Sequence, residues 1–429
     1  MKNKLFFTTV IIVFLISCLS SPFNAENARF FSLQNTAEQN TTAGGNEGGG
    51  KDVKQNTPED EPYEITEKEI IREYKLSFAA AGDNLFHDSV IRSSYINGTY
   101  DFSPIYAEVK DIIKKADLAF INQETVMAGE RFGYSGYPAF NTPRQLAYTL
   151  ADTGFDILNL ANNHAMDMGR DGLYATLDFL DTIKEFTVIG ARKEGENARV
   201  ITKNNIALGF LAYTHSLNGI PLPRDNPNLV SMINRERMAL EINELKPLCD
   251  FLIVSIHWGA EYLLEPDRDQ VSLANFLAQQ NVDLVLGHHP HVLQKTETIT
   301  RADGKKTIVF YSLGNFASNQ RDRERLIGAL AVINFSKTDT LTARKTSPHD
   351  PPEISLLNTE LSISNYGILP VITHFDRGIT NTKVYPLYSY TSELLENHGH
   401  RSQDRALTMD FFYSVLNRLN AVIITENPF

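Results

Sequence analysis

Five apolar runs in this chain stop on Asp, Glu, Asn or His, residue types able to bind metals, and that repetition limits the fold more than any other feature of the sequence. Leu76 to Ala81 leads into Gly82-Asp83, Leu118 to Ile121 into Asn122 and Glu124, and Ile157 to Leu160 into Asn163-His164. Phe251 to Ile256 leads into His257, and Val282 to Leu286 into Gly287 and the histidines 288, 289 and 291. Short apolar runs closed by glycine or polar residues read as buried strands. In α/β sheets the chemistry sits beyond the carboxyl ends of the strands. The last stretch, NVDLVLGHHPH from Asn281 to His291, is the richest of the five. Pro290 stiffens the backbone between His289 and His291, so their side chains can converge on one point.

Helical signals alternate with these runs. Ser103-Pro104 and Thr142-Pro143 read as caps followed by proline at the first helical position, and Gly154 reads as a helix stop. Helices are expected at Asp171 to Glu185 and Asp269 to Gln280, with a closing helix at Arg401 to Asn420. The second half is richer in strand, with runs at Ile206 to Tyr213, Thr307 to Leu313, Ile327 to Phe335, Ile354 to Ile363 and Leu369 to His374. Early αβ alternation followed by a strand-rich tail predicts two sheets face to face with helices outside, one large α/β sandwich.

The ends of the chain are simpler. Lys2 and Lys4 precede an apolar run from Leu5 to Ile16 that is too short for a permanent bilayer span, which is the form of an export signal. It closes on Leu15-Ile16-Ser17-Cys18, which resembles a bacterial lipobox; that resemblance implies lipidation of Cys18 and removal of the preceding peptide. Residues 1–18 are therefore expected to be a lipoprotein signal. Residues 19–70 are expected to be a polar tether carrying NTTAGGNEGGG and QNTPEDEP. The folded domain is placed at 71–390 and a helical extension packed on it at 391–429. The formal charge of -12 disfavours nucleic acid as a partner. Cys249 is left without a disulfide partner and is expected to be a small buried hydrophobe.

Asp, Glu, Asn and His from five strand ends make a mixed oxygen and nitrogen set. It suits one or two divalent ions such as Mn, Fe or Zn better than Ca, which prefers oxygen alone. The lack of nearby cysteine disfavours a structural zinc. Each residue also has a plainer use: Asp83 as a helix cap, Glu124 as a loop carboxylate, Asn163 as a turn residue, His257 as a packed histidine beside Trp258. His87, Asn122, Glu261 and Asn315 are candidates to line the site. His215 and His374 are read as structural, and His398 and His400 as members of an uninvolved polar loop.

GDNLFHDS at Gly82, INQET at Ile121, LANNHAMDMG at Leu160, NGIPLP at Asn218, SIHWGAEY at Ser255, LGHHPHVLQ at Leu286 and YSLGNF at Tyr311 together resemble the bacterial capsule-synthesis CapA family. That family is associated with poly-γ-glutamate and related to calcineurin-like metallophosphoesterases. The motifs run in the family's order between Leu76 and Phe335. The resemblance implies a four-layer α/β/β/α sandwich of the metallophosphatase type, with Asp83, Glu124, Asn163, His257, His289 and His291 as metal ligands. It assigns His164 to acid catalysis or substrate orientation and leaves His288 outside the ligand set. Two departures stand out: the usual Asp-x-His opening is replaced by Asp83 with a histidine four residues on, and Glu124 stands where an aspartate is usual.

Two classes of function follow. One is a lipid-anchored, metal-dependent hydrolase on the outer face of the membrane, acting on a phosphoester or γ-glutamyl amide of an anionic envelope polymer or its precursor. The other is a binding subunit that guides such a polymer alongside capsule-synthesis membrane proteins. Polyglutamate is implied by the family name alone, since no residue reads as a glutamate clamp.

Overall fold

The computed structural model describes residues 65–195, 197–347 and 349–429. The expected export signal, Cys18 and the expected tether up to residue 64 lie outside the described residues. β1 (Thr66–Leu85) is followed by a hairpin of β2 (Tyr95–Ile96) and β3 (Thr99–Tyr100). β4 (Leu118–Gln123), β5 (Ile157–Asn159), β6 (Thr187–Ile189), β7 (Arg199–Lys203) and β8 (Ile206–Thr214) come next. Then come β9 (Phe251–His257), β10 (Leu284–His288), β11 (Thr296–Thr300) and β12 (Lys306–Phe310). β13 (Asn315–Ser318), β14 (Ile327–Lys345), β15 (Glu353–Asp376) and β16 (Thr380–Pro386) complete the set.

One sheet runs β16-β15-β14-β1-β4-β5-β6, with β13 joined to β1, and the other runs β11-β12-β10-β9-β8-β7. The centre of each is parallel: β1 with β4, β4 with β5, β8 with β9, β9 with β10. The sheets pack face to face, with Phe78 against Phe210 at 6.0 Å between ring centroids and Phe251 against Phe335 at 4.7 Å. Helices Arg235–Leu245 and Arg268–Gln279 cover the outside of the second sheet through Met238, Ile242, Leu273 and Leu277. Helices Lys110–Lys115, Gln145–Thr153 and Gly169–Leu180 bury Ile112, Leu146, Leu150 and Leu173 in the main core. The result has the two facing sheets with helices outside that the alternation of runs predicts, the four-layer α/β/β/α sandwich that the family resemblance implies.

Several boundaries differ from the sequence reading. β1 begins at Thr66, inside the stretch expected to be tether, because its polar residues are held by a ladder to β14 rather than by burial. The helix read from Ser103 breaks into Ser103–Tyr106 and Lys110–Lys115, and the Ser103 hydroxyl is engaged by Asp101 at 2.6 Å instead of capping. The helix expected at Asp171 to Glu185 runs Gly169–Leu180, and the closing helix contracts to Met409–Leu416, where the Thr408 side chain caps Phe411 N. The runs Ile354 to Ile363 and Leu369 to His374 are one strand, β15. Gly154 does close its helix, at φ +104°, and a capping box between Asp267 and Gln270 opens Arg268–Gln279. The 391–429 extension packs on the domain through Leu395, Leu407, Phe412, Val415 and Leu419.

The ends of β1, β14 and β15 continue as a three-stranded arm, in which Thr66 to Lys75 pairs with Ser336 to Lys345 and that segment with Glu353 to Ser362. Most of the outer two strands' side chains there are solvent-exposed.

Candidate metal centre

Parallel strands bring their carboxyl ends to one edge, and the ladder sets the site. Asp83 pairs in register with Asn122 of β4 and with Asn315 of β13, and His257 of β9 pairs with His288 of β10. Two glycines let these ends close up on the segment after β12. A Cβ on Gly82 would lie 2.1 Å from Gly314 O, and one on Gly287 would lie 2.1 Å from Tyr311 O, so no other residue fits ahead of Asp83 or His288. Beyond β10 the backbone takes a conformation rare for side-chain-bearing residues, with His289 at φ +98° and His291 at φ +59° on either side of Pro290. Two hydrogen bonds hold it: His289 N donates to Asp83 Oδ2 at 3.2 Å, and Tyr262 N donates to Pro290 O at 2.8 Å.

The structure brings the six expected ligands together in a buried cluster. Asp83, Glu124 and His257 are fully buried, and Asn163, His289 and His291 are at most 6 % exposed. His291 Nδ1 lies 3.1 Å from Asp83 Oδ2, and its Nε2 lies 3.7 Å from Glu124 Oε1. His257 Nε2 is 2.9 Å from Asn163 Oδ1 and 3.5 Å from Glu124 Oε1. Glu124, His289 and His291 offer ligand atoms that all lie within 4.8 Å of one another. His288 sits apart from that trio, stacked on Phe120 at 5.7 Å with Nδ1 3.4 Å from Asp83 Oδ1.

Both carboxylate oxygens of Glu124 and Nδ1 of His289 are buried without a hydrogen-bond partner among the described residues. A buried carboxylate left this way is costly unless a cation faces it. Burial lifts Glu124 well above the usual carboxyl range, against the pull of His291 and with the Asp83 charge adding to the rise. Burial opposes ionisation of Asp83 too, yet hydrogen bonds and charge from His288 and His291 hold it well below that range. Burial and the nearby His291 push His289 down to about 3. Burial disfavours charge on His291 as well, but Glu124 and Asp83 outweigh it and hold His291 at about 9. His289 is thus neutral imidazole, the form that binds metals, whereas Asp83 and Glu124 hold a proton on His291 that a cation at the site would have to displace. These residues fit one or more divalent ions with mixed N and O ligands.

The four expected lining residues divide. His87 and Glu261 line a cleft of about 310 Å³ beside the cluster, together with Phe140, Asn163, His164 and Asn218. Asn122 and Asn315 instead stand behind the ligands. Asn122 Nδ2 donates to Asp83 Oδ1 at 2.8 Å, and its Oδ1 accepts from Asn159 Nδ2 at 2.8 Å. Asn315 Oδ1 is 3.1 Å from His291 Nδ1. Both contact expected ligands, and their strand-end position alone did not distinguish that from lining the cleft.

His164 faces the cleft, edge-on to Phe140 at 4.7 Å. Its Nδ1 is 2.8 Å from Asp167 Oδ2, and Asp167 also accepts from Phe140 N at 2.7 Å. An Nδ1–H donated to this carboxylate would fix the tautomer and leave Nε2 without that proton. The sequence reading missed Asp167, although it lies three residues after His164 within the quoted LANNHAMDMG. Asn218, whose Oδ1 accepts from Asn163 Nδ2 at 3.3 Å, was likewise quoted without a role.

Known proteins resemble this chain in sequence over about half of its length. The PGA biosynthesis protein CapA of Bacillus subtilis (strain 168) is 32% identical over 206 residues, covering 46% of this chain and 52% of that protein. The capsule biosynthesis protein CapA of Bacillus anthracis is 30% identical over 241 residues, covering 53% of this chain and 51% of that protein. The chain therefore spans about half the length of these relatives. The Haemophilus influenzae NAD nucleotidase NadN overlaps 81% of this chain and 61% of its own at 12% identity, with a TM-score of 0.37. The model of the bacterial capsule synthesis protein PGA_cap matches residues 77–320, more than half of the 429, and the chain belongs to that family.

Proposed function

We propose that this chain is a metal-dependent hydrolase of the cell envelope, acting on an anionic capsule polymer or on its precursor. The observation that carries the reading is Glu124: a fully buried carboxylate with no hydrogen-bond partner for either oxygen among the described residues, facing His257, His289 and His291. Asp83, Glu124, Asn163, His257, His289 and His291 would hold one or two ions, with Mn, Fe or Zn suited to the donor set. A bound divalent ion supplies water of lowered pKa and polarises a phosphoryl or carbonyl oxygen. The chain's own residues do the rest. His164, held by Asp167, presents Nε2 to the cleft, where it can protonate a leaving group or stabilise developing charge. Asn122 and Asn315 keep Asp83 and His291 in place.

Chelation, metal analysis and a substrate screen test this on the purified chain. Hydrolysis of a phosphoester or a γ-glutamyl peptide that is lost with a chelator and restored by Mn, Fe or Zn is the expected result. Metal-independent polymer binding with no turnover would replace this reading with the assembly subunit. The relatives named for capsule or PGA biosynthesis support an envelope setting. Among the described residues no helix is long and apolar enough to cross a membrane. The anchor is proposed at Cys18: Cys18→Ser should release the chain from the membrane fraction, and equal retention would sink the lipid anchor.

A further inference from the structure

The three-stranded arm lies outside the residues matched by the family, because 77–320 contains neither Thr66 to Lys75 nor any of β14 and β15. Its two edges differ. The β1 edge carries Glu67, Lys68, Glu69, Arg72, Glu73 and Lys75 within ten residues, the charge pattern that discourages strand addition. The β15 edge from Glu353 to Ser364 carries Glu353 and Glu360 and has no lysine, arginine or proline. Among the described residues nothing pairs with the outer edge of β15 before Ile368. Three large apolar side chains stand out there: Ile354 is 46% exposed, Leu356 59% and Leu357 61%.

From this contrast we infer that the β15 edge is an interface that pairs with a second copy of the chain, antiparallel and edge to edge. The register supports a self-complementary match. Ile354, Leu356, Thr359 and Leu361 lie opposite Ala343, Leu341, Asp339 and Lys337 of β14, alternate residues that share one face. The shift at Thr340/Leu341 leaves Leu357 as the extra residue. A twofold axis between Leu357 and Asn358 then sets Ile354 against Leu361 and Leu356 against Thr359, all on one face. On the other face Glu353 meets Ser362 and Glu360 meets Ser355, so no like charges oppose each other. Without the extra residue this axis would set each side chain against one on the opposite face. Pairing of this kind satisfies backbone N–H and C=O groups and joins the two copies' exposed apolar rows.

Cross-linking the full chain in membranes with a short bis-maleimide tests it, because Asn358→Cys would place two thiols beside the axis. The expected result is a covalent dimer from Asn358→Cys that is absent from the unsubstituted chain, which provides the Cys18 and Cys249 background. It should also be absent from Glu73→Cys on the charged β1 edge. Adding Leu356→Lys and Leu357→Lys to Asn358→Cys should reduce the dimer to background while circular dichroism stays unchanged, as expected for exposed positions. A monomer only, a cross-linked product of another mass, or equal dimer from Glu73→Cys would each overturn the inference.

Discussion

Among the described residues two clusters of buried histidines have different surroundings. His257, His289 and His291 meet two fully buried carboxylates, Asp83 and Glu124. His374, His398 and His400 gather where the 391–429 extension meets β15, with ring centroids 5.2 Å apart for His374 and His398 and 5.8 Å for His398 and His400. Their partners are of another kind. His374 Nδ1 is 2.8 Å from Tyr390 Oη, His398 Nε2 is 3.2 Å from Thr373 O, and the nearby carboxylate of Asp376 is 43% exposed. The sequence reading took His398 and His400 for a polar loop, but they are 2% and 7% exposed. Clustering of imidazoles is therefore common to both places. What distinguishes the first, among the described residues, is the fully buried carboxylate of Glu124, neither oxygen of which accepts a hydrogen bond.

Removing that carboxylate should have the largest effect. Glu124→Ala should reduce metal bound by the purified chain to the level of a chelated control, whereas His398→Ala should leave the content unchanged; plasma mass spectrometry reads both. Equal metal loss from both variants would erase the distinction.

A second comparison lies within the site. His164→Ala should retain metal and lose turnover by roughly 10²- to 10⁴-fold, the usual weight of a positioned acid or base. Asp167→Asn should lose less, since the imidazole remains, and should shift the pH profile because the tautomer is no longer fixed. Loss of metal from His164→Ala would move that residue into the ligand set.

The smallest effect concerns pH at the second cluster. Burial pushes His398 down to about 4, with the neighbouring His374 adding to the fall, and burial lowers His374 and His400 as well. The unfolded chain takes up these protons first, so the stability contributed by neutral His398 is complete above about pH 6.5 and is lost as pH falls toward 4. The loss from His398 is about 3 kcal/mol at most. Hydrogen exchange across 391–429, corrected for intrinsic rates, should show weaker protection at pH 5 than at pH 7. No change, or protection that rises on acidification, would show that these histidines are not held neutral by burial.

Local chemistry is legible along the chain. Apolar runs ending in Asp83, Glu124, Asn163, His257 and His291 identify strand ends, because burial selects the run and the polar residue stops it. Gly154 stops a helix because it reaches φ +104° without strain. The six expected ligands and His164 are legible from such signals together with the family motifs. Tertiary structure alone decided which neighbours complete them. Asp167 fixes His164 through a contact at 2.8 Å, and Asn315 reaches His291 from another strand, 24 residues away. The arm was hidden for the same reason: Thr66 to Lys75 has little apolar periodicity, and its strand exists because β14 supplies the ladder. His398 and His400 read as loop residues because their burial comes from packing of the extension against β15. Periodicity records what a residue does for its own segment; partnership across the fold depends on contacts between distant segments, and there the sequence by itself was silent.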